Sequence, residues 1–183
     1  MIAGKRVVSV FGSSQAQAGD LAYEEALVAG RLLAEAGVIV CSGGYGGVME
    51  AVSRGAQQAG GQVIAVTTDW FSGLSVNAWV DEEIRTATFQ ERVNRIIEVG
   101  DAYLALKGGI GTLTEISMVW SLLQTRSIPA RPMILLADPW QELLTFCQEK
   151  LIIRSHDLDY LRLAGSPPQA VEQVLAALGS EQT

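Results

Sequence analysis

Histidine, cysteine and positive charge are all scarce in this chain. One histidine, His156, and two cysteines, Cys41 and Cys147, stand among its 183 residues. The cysteines form no CxxC pair and fall in apolar segments, so neither a disulfide framework nor a zinc site is expected. Lysine and arginine number 13 against 20 acidic residues, a net charge of −7. The only local basic cluster is Lys5-Arg6. A nucleic-acid binder exploits counterion release at a basic face, so DNA and RNA are not expected as partners. Long apolar runs are missing as well: none approaches the ~20 residues of a bilayer span, and the apolar stretch 7–11 is too short for a signal-peptide core. These absences predict a soluble, cytoplasmic protein with no membrane partner. Charged residues are only 18 % and hydrophobic residues 49 %, a balance that excludes general disorder. A chain of this length buries roughly 70 % of its unfolded surface in one core. A single domain over 1–178 is predicted, with 179–183 as a frayed tail.

What is present is a rhythm. Short runs rich in β-branched residues at 7–11, 38–42, 62–67, 102–106 and 132–137 alternate with stretches of helical periodicity. Continuous apolar strands separated by helices predict an α/β, Rossmann-like three-layer sandwich with a central parallel sheet. The first helix carries Asp20 as candidate N-cap, Leu21, Leu27, Leu32 and Leu33 at near-helical spacing, and Gly37 where a left-handed residue would end it. Further helices are predicted at 46–59, 88–100, 111–125, 139–151 and 167–178, the last opening on Pro167-Pro168. The segment 69–86 follows neither period and reads as an irregular excursion with a short strand near 84–86. Its aromatic residues Trp70, Phe71 and Trp79 either pack into the core or line a ligand or partner surface, core packing being the plainer reading.

In an open parallel sheet, ligands bind beyond the carboxyl ends of the strands, where helix N-termini offer free N–H groups and partial positive charge. Three glycine clusters fall at these ends: Gly12-Ser13-Ser14, Gly43-Gly44-Tyr45-Gly46-Gly47 and Gly108-Gly109-Ile110-Gly111-Thr112. Glycine lets backbone amides approach an anion closely, and the hydroxyls of Ser13 and Thr112 add uncharged donors. One such loop is often only the sharp turn before a helix; three on one edge point to a phosphate-bearing small ligand. None matches GxxxxGK[ST], and none is a GxGxxG with an acidic partner on the next strand, which disfavours a P-loop ATPase or an NAD dehydrogenase. Glu115 is predicted on the first turn of its helix, aimed at the same cleft or complementing the helix dipole. Upstream, Arg92 and Arg95 share a helix face with Glu91 and Glu98 nearby; either arginine reaches a phosphate or makes a surface ion pair.

The string Lys107-Gly108-Gly109-Ile110-Gly111-Thr112-Leu113-Thr114-Glu115 resembles the PGGxGTxxE motif of the LOG (Lonely Guy) family. In the same order, Val10-Phe11-Gly12-Ser13-Ser14 resembles that family's first strand and loop, and Ser42 to Ala51 resembles its GGGxxGLMG segment. Phe89-Gln90-Glu91-Arg92-Val93 stands where MxxRK is expected. The resemblance implies a Rossmann-like homodimer that hydrolyses the N-glycosidic bond of nucleoside 5′-monophosphates, with no metal or other cofactor. It makes Arg92 and Glu115 the catalytic pair and gives the phosphate to the amides of Gly108, Gly109, Gly111 and Thr112, with Gly12, Ser13, Gly43 and Gly44 in the other two loops. Lys107, Phe89, Val93 and Glu50 replace the motif's proline, methionine, lysine and last glycine. In those departures, and in its GVMEA string, the chain is similar to a branch that includes molybdenum-cofactor carrier proteins. That likeness implies the alternative function of a non-catalytic carrier for a phosphorylated, pterin-like cofactor. The dimer is implied by the resemblance alone; a place for its contact is the helix around Glu115 to Leu123, whose apolar stripe Ile116, Val119, Trp120 and Leu123 core packing explains equally well.

Overall fold

A computed structural model describes residue 2 and residues 4–180. Seven strands form one sheet, every pairing parallel: β1 (Val7–Phe11), β2 (Ile39–Ser42), β3 (Val63–Thr68), β4 (Glu82–Thr86), β5 (Ala102–Ala105), β6 (Met133–Leu136) and β7 (Leu161–Ala164). Their order is β4-β3-β2-β1-β5-β6-β7. The helices are α1 (Leu21–Glu35), α2 (Val48–Gln58), α3 (Phe89–Val99), α4 (Ile110–Gln124), α5 (Ala137–Lys150) and α6 (Pro167–Ser180), with a 3-10 turn at Ser155–Tyr160.

Alternation of side chains along each strand divides the apolar residues between two cores. Val8, Val10, Val40, Leu104 and Ile134 point to a core shared with Leu33 of α1, Val52 of α2 and Val174 of α6. Their neighbours Val7, Phe11, Ile39, Tyr103 and Met133 point to the other, shared with Ile96 of α3, Val119 of α4 and Trp140 of α5. The continuous apolar runs in the sequence are thus the signature of a sheet covered on both faces. No helix among the described residues is long and apolar enough to cross a membrane.

Several expectations are corrected. The sequence predicts five principal strands and a short one near 84–86; the sheet has seven. The excursion ends in a full five-residue strand, β4, which pairs with β3 from Ile64↔Glu82 to Thr68↔Thr86. The other addition is β7, too short for period-2 alternation to announce it. α5 agrees with expectation: Asp138, at φ −88°, ψ 123°, is extended, so regular helix runs from Pro139, where the sequence places it. Residues 179 and 180 continue α6 rather than fray, and 181–183 lie outside the described residues. Gly37 ends α1 with φ 77° as expected, but the Asp20 carboxylate accepts from Gln17 N (2.8 Å) instead of from a helix amide.

α1 and α2 meet backbone to backbone. An added Cβ on Gly30 would lie 2.0 Å from Val52 O, and one on Gly55 would lie 2.0 Å from Leu27 O. This crossing fixes α2, and with it the loop that precedes it.

Candidate functional site

The chain runs outward from β1 through β2 and β3 to β4, then returns to lay β5 on the opposite side of β1. That reversal opens a crevice at the carboxyl ends of β1 and β5. The three glycine clusters meet there and are bonded to one another. Ser13 N donates to Lys107 O (3.1 Å), joining the loops after β1 and β5, while Val48 N donates to Ser13 O (2.7 Å), joining the start of α2 to the same loop. Gly47, at φ 70°, holds the last turn before α2, where an added Cβ would lie 2.3 Å from Ser13 O.

Gly109 is the N-cap residue of α4, and the first bond of that turn is Leu113 N to Gly109 O (2.9 Å). The amides of Ile110, Gly111 and Thr112 therefore have no carbonyl within the helix and sit at its positive end. Gly108 permits the next detail. A Cβ there would lie 2.1 Å from Thr112 Oγ1, so its absence lets the buried Thr112 side chain fold under the turn.

α3 starts at a capping box. Thr88 Oγ1 accepts from Glu91 N (3.1 Å), and the Glu91 carboxylate accepts from Thr88 N (3.2 Å) and Ala87 N (2.9 Å). Glu91 is therefore a cap, while Arg95 pairs on the surface with Glu98 (3.3 Å). Arg92 turns inward, 6 % exposed. Its Nε donates to Val66 O (2.8 Å), and its guanidinium carbon lies 5.4 Å from the Tyr45 ring centre and 5.8 Å from that of Phe71. Gly43 leaves the space this side chain fills, since an added Cβ would come within 1.8 Å of Arg92 Nη2.

Glu115 is the companion acid, 8 % exposed. α4 begins at Ile110, so Glu115 belongs to the second turn, not the first, which removes helix-dipole capping as its explanation. Burial pushes its carboxyl up from 4.5 to about 7, with the Arg92 charge pulling the other way. Such a group exchanges a proton near neutrality.

Arg92 and Glu115 line one cavity of about 430 Å³. Of the residues singled out in the sequence, Gly12, Ser13, Gly109, Gly111 and Thr112 line it too. Gly43, Gly44 and Gly108 do not. They act one step back, Gly43 by admitting Arg92, Gly108 by admitting Thr112, and Gly44 by accepting from Asn77 N (2.8 Å) and Nδ2 (3.0 Å). The glycine pattern did not announce the rest of the lining, which is mainly aromatic and apolar: Tyr45, Met49, Phe71, Leu74 and Phe89. The signal was present in the aperiodic aromatics of 69–86, for which the plainer reading fails. Trp70 is 71 % exposed, Phe71 faces the cavity, and Trp79 lies under Arg54, 5.7 Å from guanidinium to ring centre. Lys107 points away to Asp138 (3.3 Å), half-exposed. The α4 stripe is spent internally, with Ile116, Val119 and Leu123 in the core.

The model of the SLOG cluster4 family matches residues 5–155. The chain belongs to the SLOG cluster4 family. Among relatives of this SLOG cluster4 protein, an Archaeoglobus fulgidus protein is 36 % identical over 96 residues, 52 % of this chain and 62 % of that one. The match thus spans about three-fifths of the archaeal protein's length. The cytokinin riboside 5′-monophosphate phosphoribohydrolase of Mycobacterium tuberculosis is 29 % identical over 142 residues, 76 % of this chain and 74 % of that enzyme. Among solved structures, the molybdenum cofactor binding protein of Rippkaea orientalis superposes with a TM-score of 0.78 at 26 % identity, covering 95 % of this chain and 98 % of that one. The Rossmann-like sheet and the LOG-like character read from the motifs are both those of this family.

Proposed function

We propose that this SLOG cluster4 protein is a nucleoside 5′-monophosphate phosphoribohydrolase, releasing free base and ribose 5-phosphate. The observation that carries the reading is the pairing of buried Arg92 and buried Glu115 in one cavity beside the unbonded amides of α4. In this scheme the 5′-phosphate sits on the amides of Ile110, Gly111 and Thr112, with the Ser13 loop on the same edge. Aromatic walls at Tyr45, Phe71 and Phe89 suit the flat base. The C1′–N bond breaks with its electron pair leaving on the base, which takes up a proton from solvent, balanced by the proton that Glu115 later returns to solvent. Water then bonds to C1′ through oxygen and gives its proton to the Glu115 carboxylate, whose charge has stabilised the cationic ribosyl centre. Arg92 favours the ionised carboxylate against the effect of burial and contributes positive charge toward the phosphate. The identity to the mycobacterial phosphoribohydrolase supports the same chemistry.

The likeness to a molybdenum cofactor binding protein favours a second reading, a carrier that holds a phosphorylated pterin without turnover. One experiment separates them. Purified protein is examined by native mass spectrometry, then incubated with AMP and other nucleoside monophosphates and assayed for free base by chromatography. Base release that disappears in Glu115→Gln supports the hydrolase; a retained phosphate-bearing ligand with no release from any nucleotide refutes it in favour of the carrier. A homodimer belongs to the hydrolase reading, and light scattering on the eluting protein measures it. With Ile116, Val119 and Leu123 buried, the partly exposed Trp120 and the exposed Ile110 and Met118 on α4 are apolar residues available for such a contact.

A further inference from the structure

Arg92 gets little help from opposite charge in holding its place. Among the described residues, its one hydrogen bond to oxygen is from Nε to a main-chain carbonyl, Val66 O, and beyond that it meets ring faces and the Met49 sulfur, 3.9 Å from Nη2. Tyr45 is the better anchored ring. Its hydroxyl accepts from Thr68 N (3.0 Å) and lies 3.3 Å from Thr68 O, clamping it to the end of β3, and the residue is 5 % exposed. Phe71 meets it edge-on, 5.8 Å between centres, and lies beside it as a second ring near the guanidinium, 5.8 Å from Cζ. Asn77 Nδ2 donates to both Gly44 O (3.0 Å) and Tyr45 O (3.1 Å), so the excursion and the glycine loop move as one.

We propose that Tyr45, seconded by Phe71, is a positioning residue that holds the Arg92 guanidinium in the cavity beside Glu115. The ring face attracts the cation, an interaction strengthened where water is excluded, and the hydroxyl anchors the ring. This inference deepens the phosphoribohydrolase reading and rests on it only for rates. Arginine placement is also reported by the ionisation of Glu115, which Arg92 favours and burial opposes. The titratable groups facing Glu115 are Arg92 from α3 and Cys41 from β2.

The test uses the full chain with Tyr45→Leu, Tyr45→Phe and Phe71→Leu, following the Glu115 carboxyl by ¹³C NMR of glutamate-labelled protein, with Glu115→Gln assigning the signal. Tyr45→Leu is expected to raise the Glu115 midpoint by roughly half a pH unit or more as Arg92 relaxes away. Tyr45→Phe, which keeps the ring, is expected to stay near the parent, and Phe71→Leu to shift in the same direction by less. Base release from AMP is expected to fall roughly tenfold in kcat for Tyr45→Leu, with KM less affected, and to be restored in Tyr45→Phe. A folded Tyr45→Leu with the parent midpoint overturns the proposal, as does a Tyr45→Phe displaced as far as Tyr45→Leu. If Tyr45→Leu fails to fold, Phe71→Leu decides, and an unchanged midpoint there overturns it. A parent protein that releases no base removes the hydrolase reading but leaves the NMR comparison intact.

Discussion

Replacing Glu115 by glutamine keeps the side chain's shape and removes its ionisation, and the consequence is written in how stability depends on pH. In the unfolded chain this carboxyl ionises near 4.5; in the fold it does so near 7. Between those values the unfolded state sheds the proton while the folded state keeps it, so stability falls as pH rises through this window. At about 1.4 kcal/mol per pH unit, the loss amounts to about 3 kcal/mol by pH 8. The glutamine variant has nothing to lose there. At pH 4.5 the parent's Glu115 is protonated and nearly isosteric with glutamine, so the two proteins unfold at similar denaturant concentrations. At pH 8 the variant is the more stable by about 3 kcal/mol, roughly 6–12 °C in Tm for a domain of this size. Urea unfolding from pH 4.5 to 8.5 reads the difference directly. Titrations elsewhere in the chain are common to both proteins and cancel. Parallel stability curves would refute the reasoning, because they would mean that Glu115 ionises in the fold at its ordinary value.

Gly43→Ala drives a methyl group against the buried Arg92 guanidinium and the Met49 sulfur, so it is expected to destabilise by about 1–3 kcal/mol while displacing Arg92. Base release should then fall at least roughly tenfold; denaturation beside the nucleotide assay separates the two effects. Gly55→Ala drives a methyl into the Leu27 carbonyl, a main-chain atom that cannot swing aside, and is expected to destabilise by about 2–3 kcal/mol in chemical unfolding. Thr88→Ala removes the capping acceptor of α3 and is expected to cost about 1 kcal/mol in the same assay.

The alternation of strands and helices was legible because the central strands are buried on both faces, which leaves uninterrupted apolar runs at β1, β2, β3, β5 and β6. The outer strands were less so. β4 reads Glu82-Glu83-Ile84-Arg85-Thr86, an edge strand whose charges discourage pairing with another chain, and those charges mask its pattern. Arg92 and Glu115 were legible through their motif, and both line the cavity. The second row of glycines was legible as glycine but not as to purpose. Gly43 and Gly108 serve close approaches by Arg92 and Thr112, contacts that depend on residues far apart in sequence or one turn along a helix. The aromatic wall was the hardest part. Phe71 comes from a segment without periodicity, which is tied in place by contacts the sequence does not announce, the Asn77 bonds to the glycine loop and Asp69 N to Thr86 O (3.0 Å) among them.

The cavity's two walls differ in what mutation can reach. One is largely main chain: amides at the start of α4 and carbonyls cross-bonded between loops, supplied by whatever residues the turns tolerate. The other is made of side chains, Phe71 and Leu74 among them, carried on an excursion that contributes neither of the two to a core. Substitution at Phe71 or Leu74 therefore remodels that wall while the sheet, the α1–α2 crossing and the start of α4 stay in place. On the proposed reading, such a division lets new ligands be explored while the amides at the start of α4 stay available to a phosphate, and directed evolution of this protein should begin at those two positions.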